Sequence, residues 1–217
     1  MKCSREEVDR RILEAGTKLF ALHGFEGTTT RNIVAEAGSS LSVLQAHYGS
    51  KERLFKEIIN TTMTGFDALY EPVVQKLSIL RENTPPMQAQ IWELIEELTN
   101  CIIDWAFDPG NRYKNLLIQR ELLFPGKMIA YSFSKIHAVF SLYQQLFELY
   151  SGKERSFASV QLSFAVITEI FDMANYPYVL EKILQTDLSQ TENRAAVQEN
   201  TRIYLMEWIK TALACSL

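Results

Sequence analysis

The sequence predicts an all-α fold, and three observations carry that expectation. Apolar residues recur at three- and four-residue spacings, capping residues and Gly or Pro breaks punctuate them, and no stretch alternates with the period of a strand. No internal repeat or low-complexity tract interrupts the pattern. The expected organisation is an N-terminal three-helix helix-turn-helix domain over residues 1–56, including the start of a linking helix. A helical bundle follows over residues 57–217.

The first helix opens at Ser4-Arg5-Glu6-Glu7, which has the form of a capping box. Val8, Ile12, Ala15, Leu19 and Leu22 follow as one stripe, and His23-Gly24 ends the helix. Arg10, Arg11 and Lys18 lie off that stripe, as a solvated face or as phosphate contacts. Phe25 is expected in a small core with Leu19, Ile33 and Leu44.

The stretch GFEGTTTRNIVAEAGSSLSVLQAHYGSKERLF, residues 24–55, holds two short helices around a tight turn. Thr29 can cap the first, with Asn32 at its third position, and Ile33, Val34 and Ala37 form its apolar face. Gly38 stops it, because glycine takes the left-handed conformation without a Cβ penalty. Ser39 or Ser40 can cap the second, in which Val43, Leu44 and Tyr48 recur at helical spacing. Helix, tight turn and short helix make a helix-turn-helix.

These residues resemble the DNA-binding segment of the TetR family of bacterial repressors. The shared pattern reads GF-x-x-T-T-x-x-x-I-x-x-x-A-G-S-S-x-x-x-L-x-x-H-Y-x-S-K-E-x-L-F and covers roughly the first 56 residues. Beyond it the likeness is one of helical layout. This chain departs from the family's usual pattern in having Ser42 in place of Gly, Gln45 in place of a phosphate-contacting Tyr, and Leu41 where many members carry Lys. The resemblance implies a ligand-responsive regulator, a repressor, that binds double-stranded operator DNA as a homodimer. It puts the DNA-facing surface on Thr29, Thr30, Ser40, Leu41, Ser42, Val43, Gln45, His47, Tyr48 and Lys51. Gln45 is the best base reader of the set, since its amide can pair with adenine through two hydrogen bonds. Lys51, in the first turn of the helix that Ser50 caps, would share a phosphate with the helix amides.

Charge is divided along the chain. Residues 1–56 hold nine Lys/Arg and seven Asp/Glu, or +2, while the remainder hold thirteen and nineteen, or −6. A mildly positive head on an acidic body fits contact with DNA at one end.

The linking helix carries Leu54, Phe55, Ile58, Ile59, Met63, Phe66 and Leu69 inward, and Pro72 is expected to bend or restart it. Asn83-Thr84-Pro85-Pro86 breaks the chain. Further helices are expected over 87–107, 112–124, 127–150, 154–175 and about 194–213. They are separated by Asp108-Pro109-Gly110-Asn111, Pro125-Gly126, Ser151-Gly152, Pro177 and the polar stretch 187–193.

The aromatic-rich body can line an apolar cavity for a hydrophobic small molecule or form a packed core. Phe66, Trp92, Trp105, Tyr113, Arg120, Phe124, His137 and Phe140 are the expected ligand-facing residues. Arg120 and Glu121, adjacent and so about 100° apart, can instead form ion pairs between helices. The last two long helices are apolar on more than one side and need more than one cover. Pairing with a second copy through Phe157, Phe164, Ile167, Phe171, Tyr204 and Trp208 would supply it, as a two-fold four-helix bundle.

Other classes find little support. There is no phosphate-cradling glycine loop, metal-ligand cluster or nucleophile elbow, so neither enzyme activity nor a cofactor is expected. Cys3, Cys101 and Cys215 are too dispersed for a disulfide framework or a zinc site; Cys101 is either a redox sensor or a buried helix cysteine. No apolar run of about 18 residues signals a membrane span, and the charged N-terminus MKCSREEVDRR points to the cytoplasm. The alternative of another class is a protein of the same fold that binds DNA weakly and acts through a protein partner, motivated by Leu41 and Gln45.

Overall fold

The computed structural model describes residues 4–83, 87–124, 126–153 and 156–215. Cys3, the Thr84-Pro85-Pro86 break, Pro125 and the expected helix start at Glu154 lie outside the described residues. Every regular element among the described residues is helical: α1 (Arg5–Gly27), α2 (Thr30–Glu36), α3 (Leu41–Tyr48), α4 (Lys51–Asn83), α5 (Gln88–Phe107), α6 (Arg112–Leu123), α7 (Ile129–Ser151), α8 (Phe157–Asn175), α9 (Pro177–Leu184) and α10 (Thr191–Cys215). A 3-10 turn over Pro109–Asn111 joins α5 to α6.

The chain forms two compact units. The first comprises Met1–Gly65 and Tyr113–Ile136, and the second Phe66–Arg112 and His137–Leu217. The unit that holds the head therefore runs past residue 56 along α4 and also includes α6 and the start of α7.

In the first unit the caps form largely as their chemistry requires. The Ser4 hydroxyl accepts from the Glu7 amide at 3.2 Å, and the Thr29 hydroxyl from the Asn32 amide at 3.2 Å. The box at Ser4 is only half made, because the Glu7 carboxylate turns to Arg10, a charged partner stronger than an amide. Gly24, at φ 72°, breaks α1 where expected, and a last turn continues to Gly27. The buried face of α1 differs from the predicted stripe. Ile12, Gly16 and Phe20 face inward at four-residue spacing, while Leu22 is 43% exposed. The reason is aromatic packing: Phe20, Phe25 and Phe55 form a triad with centroids 5.1–5.9 Å apart, which draws position 20 inward.

Helix α4 runs unbroken through Pro72, against expectation. Proline removes one amide and frees the carbonyl four residues earlier, at Ala68. Both residues lie on the solvent face, where water can satisfy that carbonyl.

In the second unit, α5, α8 and α10 pack together over a core that includes Leu98, Ile102, Val166, Ile167, Ile170, Leu205 and Ile209. Helix α8 is long and apolar enough to cross a membrane by length and composition, so the reading that no such run exists needs correction. Part of its hydropathy has a packing cause, since Leu162, Val166, Ile167, Ile170 and Phe171 are buried within this unit, while Phe157, Val160 and Phe164 are exposed. Helix α9 was not predicted. Pro177 occupies its first turn, where a missing amide costs nothing, so it starts a helix as well as ending one.

Candidate functional site

The geometry of α3 follows from its two ends. At the start, the Ser40 hydroxyl accepts from the Val43 amide at 3.3 Å, and Gly38, at φ 58°, makes the turn from α2. At the finish, the Asp9 carboxylate of α1 holds both His47 Nδ1 and the Tyr48 hydroxyl, the latter at 3.2 Å. Burial and then the Asp9 charge push the Tyr48 phenol upward, so it remains a proton donor to that carboxylate. Leu44 is fully buried between these ends.

One face of α3 is left outward: Ser40, Leu41, Ser42 and Gln45 are exposed, and Val43 is half-buried. Thr29 is exposed at the start of α2 and Thr30 is half-buried. His47 and Tyr48, expected at DNA, are turned to Asp9 instead. Ala46, Arg31 and Arg53 are exposed beside this face and were not singled out from sequence. Arg53 lies two positions beyond Lys51 in the same helix start, and that adjacency was the available signal. A hollow of about 760 Å³ lies between Gln45, His47 and the basic residues Arg5, Arg53 and Lys56.

Lys51 does not point outward. Its ammonium donates to the carbonyls of Phe25 at 2.8 Å and Thr28 at 2.9 Å and lies 4.3 Å over the Phe25 ring. The orphan carbonyls at the end of α1 attract it more directly than a helix N-terminus, whose partial charge repels a cation. Two further cations of α1 are also occupied: Arg10 bridges Glu7 and Glu14, and Lys18 pairs with Glu36.

The expected ligand-facing residues do not converge on one cavity within either unit. In the second unit Phe66 and Trp105 pack edge to face at 4.7 Å with Phe171 beside both, a filled aromatic core. Trp92 donates to Glu96 at 2.8 Å, and Phe140 stacks on Phe164 at 5.9 Å. His137 is exposed. In the first unit Arg120 reaches the Leu22 carbonyl at 3.3 Å and fills the space beside Gly24, Tyr113 is half-buried, and Phe124 is 70% exposed. Glu121 is buried and accepts from the Ser132 hydroxyl at 2.8 Å, so the alternative of ion pairing with a neighbouring helix is not realised.

The expected pairing surface divides similarly. Phe157, Phe164 and Tyr204 are 77%, 50% and 51% exposed and Trp208 is half-buried, whereas Ile167 and Phe171 are buried in the core of the second unit. Positions 164, 167 and 171 fall within about 60° of one another on a helix, so the exposed Phe164 borders the stripe that Ile167 and Phe171 bury.

A short helix capped by Ser40 and held by Asp9, with a polar outer face, completes a helix-turn-helix motif. Residues 12–58 match the family model described as bacterial regulatory proteins, tetR family. Over this N-terminal segment the chain is similar to the TetR family of bacterial transcriptional regulators. It is 32% identical over 108 residues to the uncharacterized HTH-type transcriptional regulator YfiR of Bacillus subtilis, covering 48% of this chain and 49% of that protein. It is 42% identical over 52 residues to the HTH-type transcriptional repressor AcnR of Corynebacterium efficiens, covering 24% of this chain and 26% of AcnR. The chain thus spans at most about half the length of these curated relatives. Among solved structures, AibR in complex with isovaleryl coenzyme A and operator DNA superposes with a TM-score of 0.62 at 15% identity, over 90% of this chain and 96% of that one. The ketosteroid regulator KstR2 of Mycobacterium tuberculosis does so with a TM-score of 0.62 at 14% identity, over 91% and 93%. At such identity these two show the shared fold.

Proposed function

We propose that the protein is a homodimeric transcriptional repressor whose residues 1–56 read operator DNA and whose residues 57–217 dimerise and bind a hydrophobic effector. The observation that carries this reading is the outward face of α3. Ser40, Ser42 and Gln45 have polar tips turned to solvent while Leu44 is fully buried beneath them. Each protomer would place that face in the major groove of one half-site, the two separated by about one DNA turn, ~34–36 Å. That AcnR is a repressor supports the sign of regulation, and the complex of AibR with an acyl-coenzyme A supports response to a small molecule. The effector must bind the released form better than the DNA-bound form, since equal affinity shifts nothing.

A second reading has an observation of its own. Leu41 presents an apolar side chain, 43% exposed, at the start of the reading helix, and Lys51 is engaged inside the protein. Both fit a protein that binds DNA weakly and acts through a protein partner. Selecting bound fragments from the host genome, followed by salt titration on the recovered site and on random duplex, separates the two. A repressor keeps a site-selective complex at physiological salt; uniform, salt-labile binding favours the partner-directed reading.

A further inference from the structure

The second unit holds a hollow of about 290 Å³ that contact with DNA leaves unused. It lies among the end of α5 and the 3-10 turn after it, the end of α8, α9, and the first turns of α10. Phe107, Met173, Leu180, Leu188 and Val197 give it an apolar wall. At the ~30 Å³ that a water-sized group occupies, 290 Å³ holds about ten non-hydrogen atoms.

One cationic side chain on that wall is held by neutral carbonyls. Arg194 is half-buried, and its Nη2 donates to the neutral carbonyls of Leu188 at 3.2 Å and Ser189 at 3.5 Å. No carboxylate of the described residues lies within ion-pair distance of it. The two acids of the lining are turned to backbone amides: Glu181 accepts from Leu188 at 3.1 Å and Asp108 from Gly110 at 2.8 Å. With Arg112 at the same lining, two cations face two anions, so a monoanion meets no net repulsion. A partly desolvated guanidinium beside an apolar wall gains from an anion, and its planar fork matches a carboxylate.

We propose that this hollow binds a small amphipathic monocarboxylate, with the apolar tail in the hollow and the carboxylate on Arg194. The proposal rests on the effector reading only for its consequence at DNA, because binding is measured apart from it. Octanoate has the atom count of the hollow, and octanamide has the same shape without the charge.

Calorimetric titration of the full-length protein should show octanoate binding about tenfold tighter than octanamide, the order of one charge-assisted contact. Arg194→Gln should erase that preference, and Ala174→Phe, which fills the hollow, should abolish binding of both probes. Circular dichroism melting of each variant shows whether it folds, and the comparison of the two probes on the wild type needs no variant. No octanoate binding, equal binding of the two probes, or an unchanged preference in a folded Arg194→Gln overturns the proposal. Octanoate binding that leaves operator affinity unchanged supports the site and counts against the effector reading.

Discussion

The ammonium of Lys51 donates to the carbonyl oxygen of Thr28 at 2.9 Å, joining the start of α4 to the end of α1. The Phe25 carbonyl, at 2.8 Å, shares the same ammonium. Lys51 therefore stands in for a C-terminal cap of α1 and fixes the angle at which the head leaves the linking helix.

Lys51→Ala should accordingly lower the stability of the protein by about 1–3 kcal/mol, because two partly buried carbonyls lose a charged donor. Urea unfolding monitored by circular dichroism measures this. The salt slope of DNA binding should respond instead to Arg53→Ala, falling by about 1 per half-site, since Arg53 is exposed beside α3. A Lys51→Ala variant of wild-type stability would show that its carbonyl contacts contribute nothing.

Gln45→Ala tests the reading face. The side chain is exposed and makes no core contact that its loss would disturb, so folding should be unchanged. Affinity for the selected operator should fall by about 1–3 kcal/mol, with relaxed preference at one position per half-site. An equal loss on every sequence would place Gln45 at the backbone rather than at a base.

Dimer contacts and core contacts on α8 can be told apart. Phe164→Asp and Tyr204→Asp, at half-exposed positions, should give helical monomers in sedimentation at micromolar concentration. Ile167→Asp should instead unfold the second unit, because a charge buried without a partner costs several kcal/mol. A wild-type protein that sediments as a monomer under the same conditions would end the dimer reading.

Cys101 should be inert at neutral pH. Burial, followed by the charges of Glu97 and Asp104, pushes its thiol up to about 12, so the nucleophilic thiolate is scarce. Alkylation followed by peptide mass mapping should label the exposed Cys215 and spare Cys101 until denaturant is added. Labelling of Cys101 in the folded protein would reopen a redox role.

Glu121 carries a pH dependence whose sign follows from burial. Burial raises its carboxyl above the usual range, outweighing the Ser132 hydrogen bond and Arg120. The folded state therefore holds this proton more tightly than the unfolded chain. Its contribution to stability is full below the ordinary carboxyl range and is lost as pH rises through the folded value. Glu121→Gln, which keeps an acceptor for Ser132, should remove that decline, so the variant gains on the wild type between mildly acidic and neutral pH. Parallel stability curves for the two proteins would contradict this.

Much of the fold was legible in the chain because its signals are local. The Ser4 and Thr29 caps, the left-handed Gly38 and the apolar pair Ile33 and Leu44 act over one or two helical turns, and they specify a helix-turn-helix without reference to the rest. The same holds for the outward position of Gln45, which follows from Leu44 facing inward beside it.

Distance along the chain marks where this stops. Whether Lys51 meets a phosphate or the Thr28 carbonyl depends on where α4 starts relative to the end of α1, 23 positions earlier. Whether Phe20 or Leu22 is buried depends on Phe55, and whether Trp105 lines a cavity or fills a core depends on Phe66 and Phe171. Arg194 gave little local sign of facing an apolar hollow, since Phe107, Met173 and Leu180 of its wall come from α5, α8 and α9. By itself the sequence determined which segments coil and which face of each is apolar; only tertiary packing decided what covers each face, because burial is shared among residues that meet only once the helices are assembled.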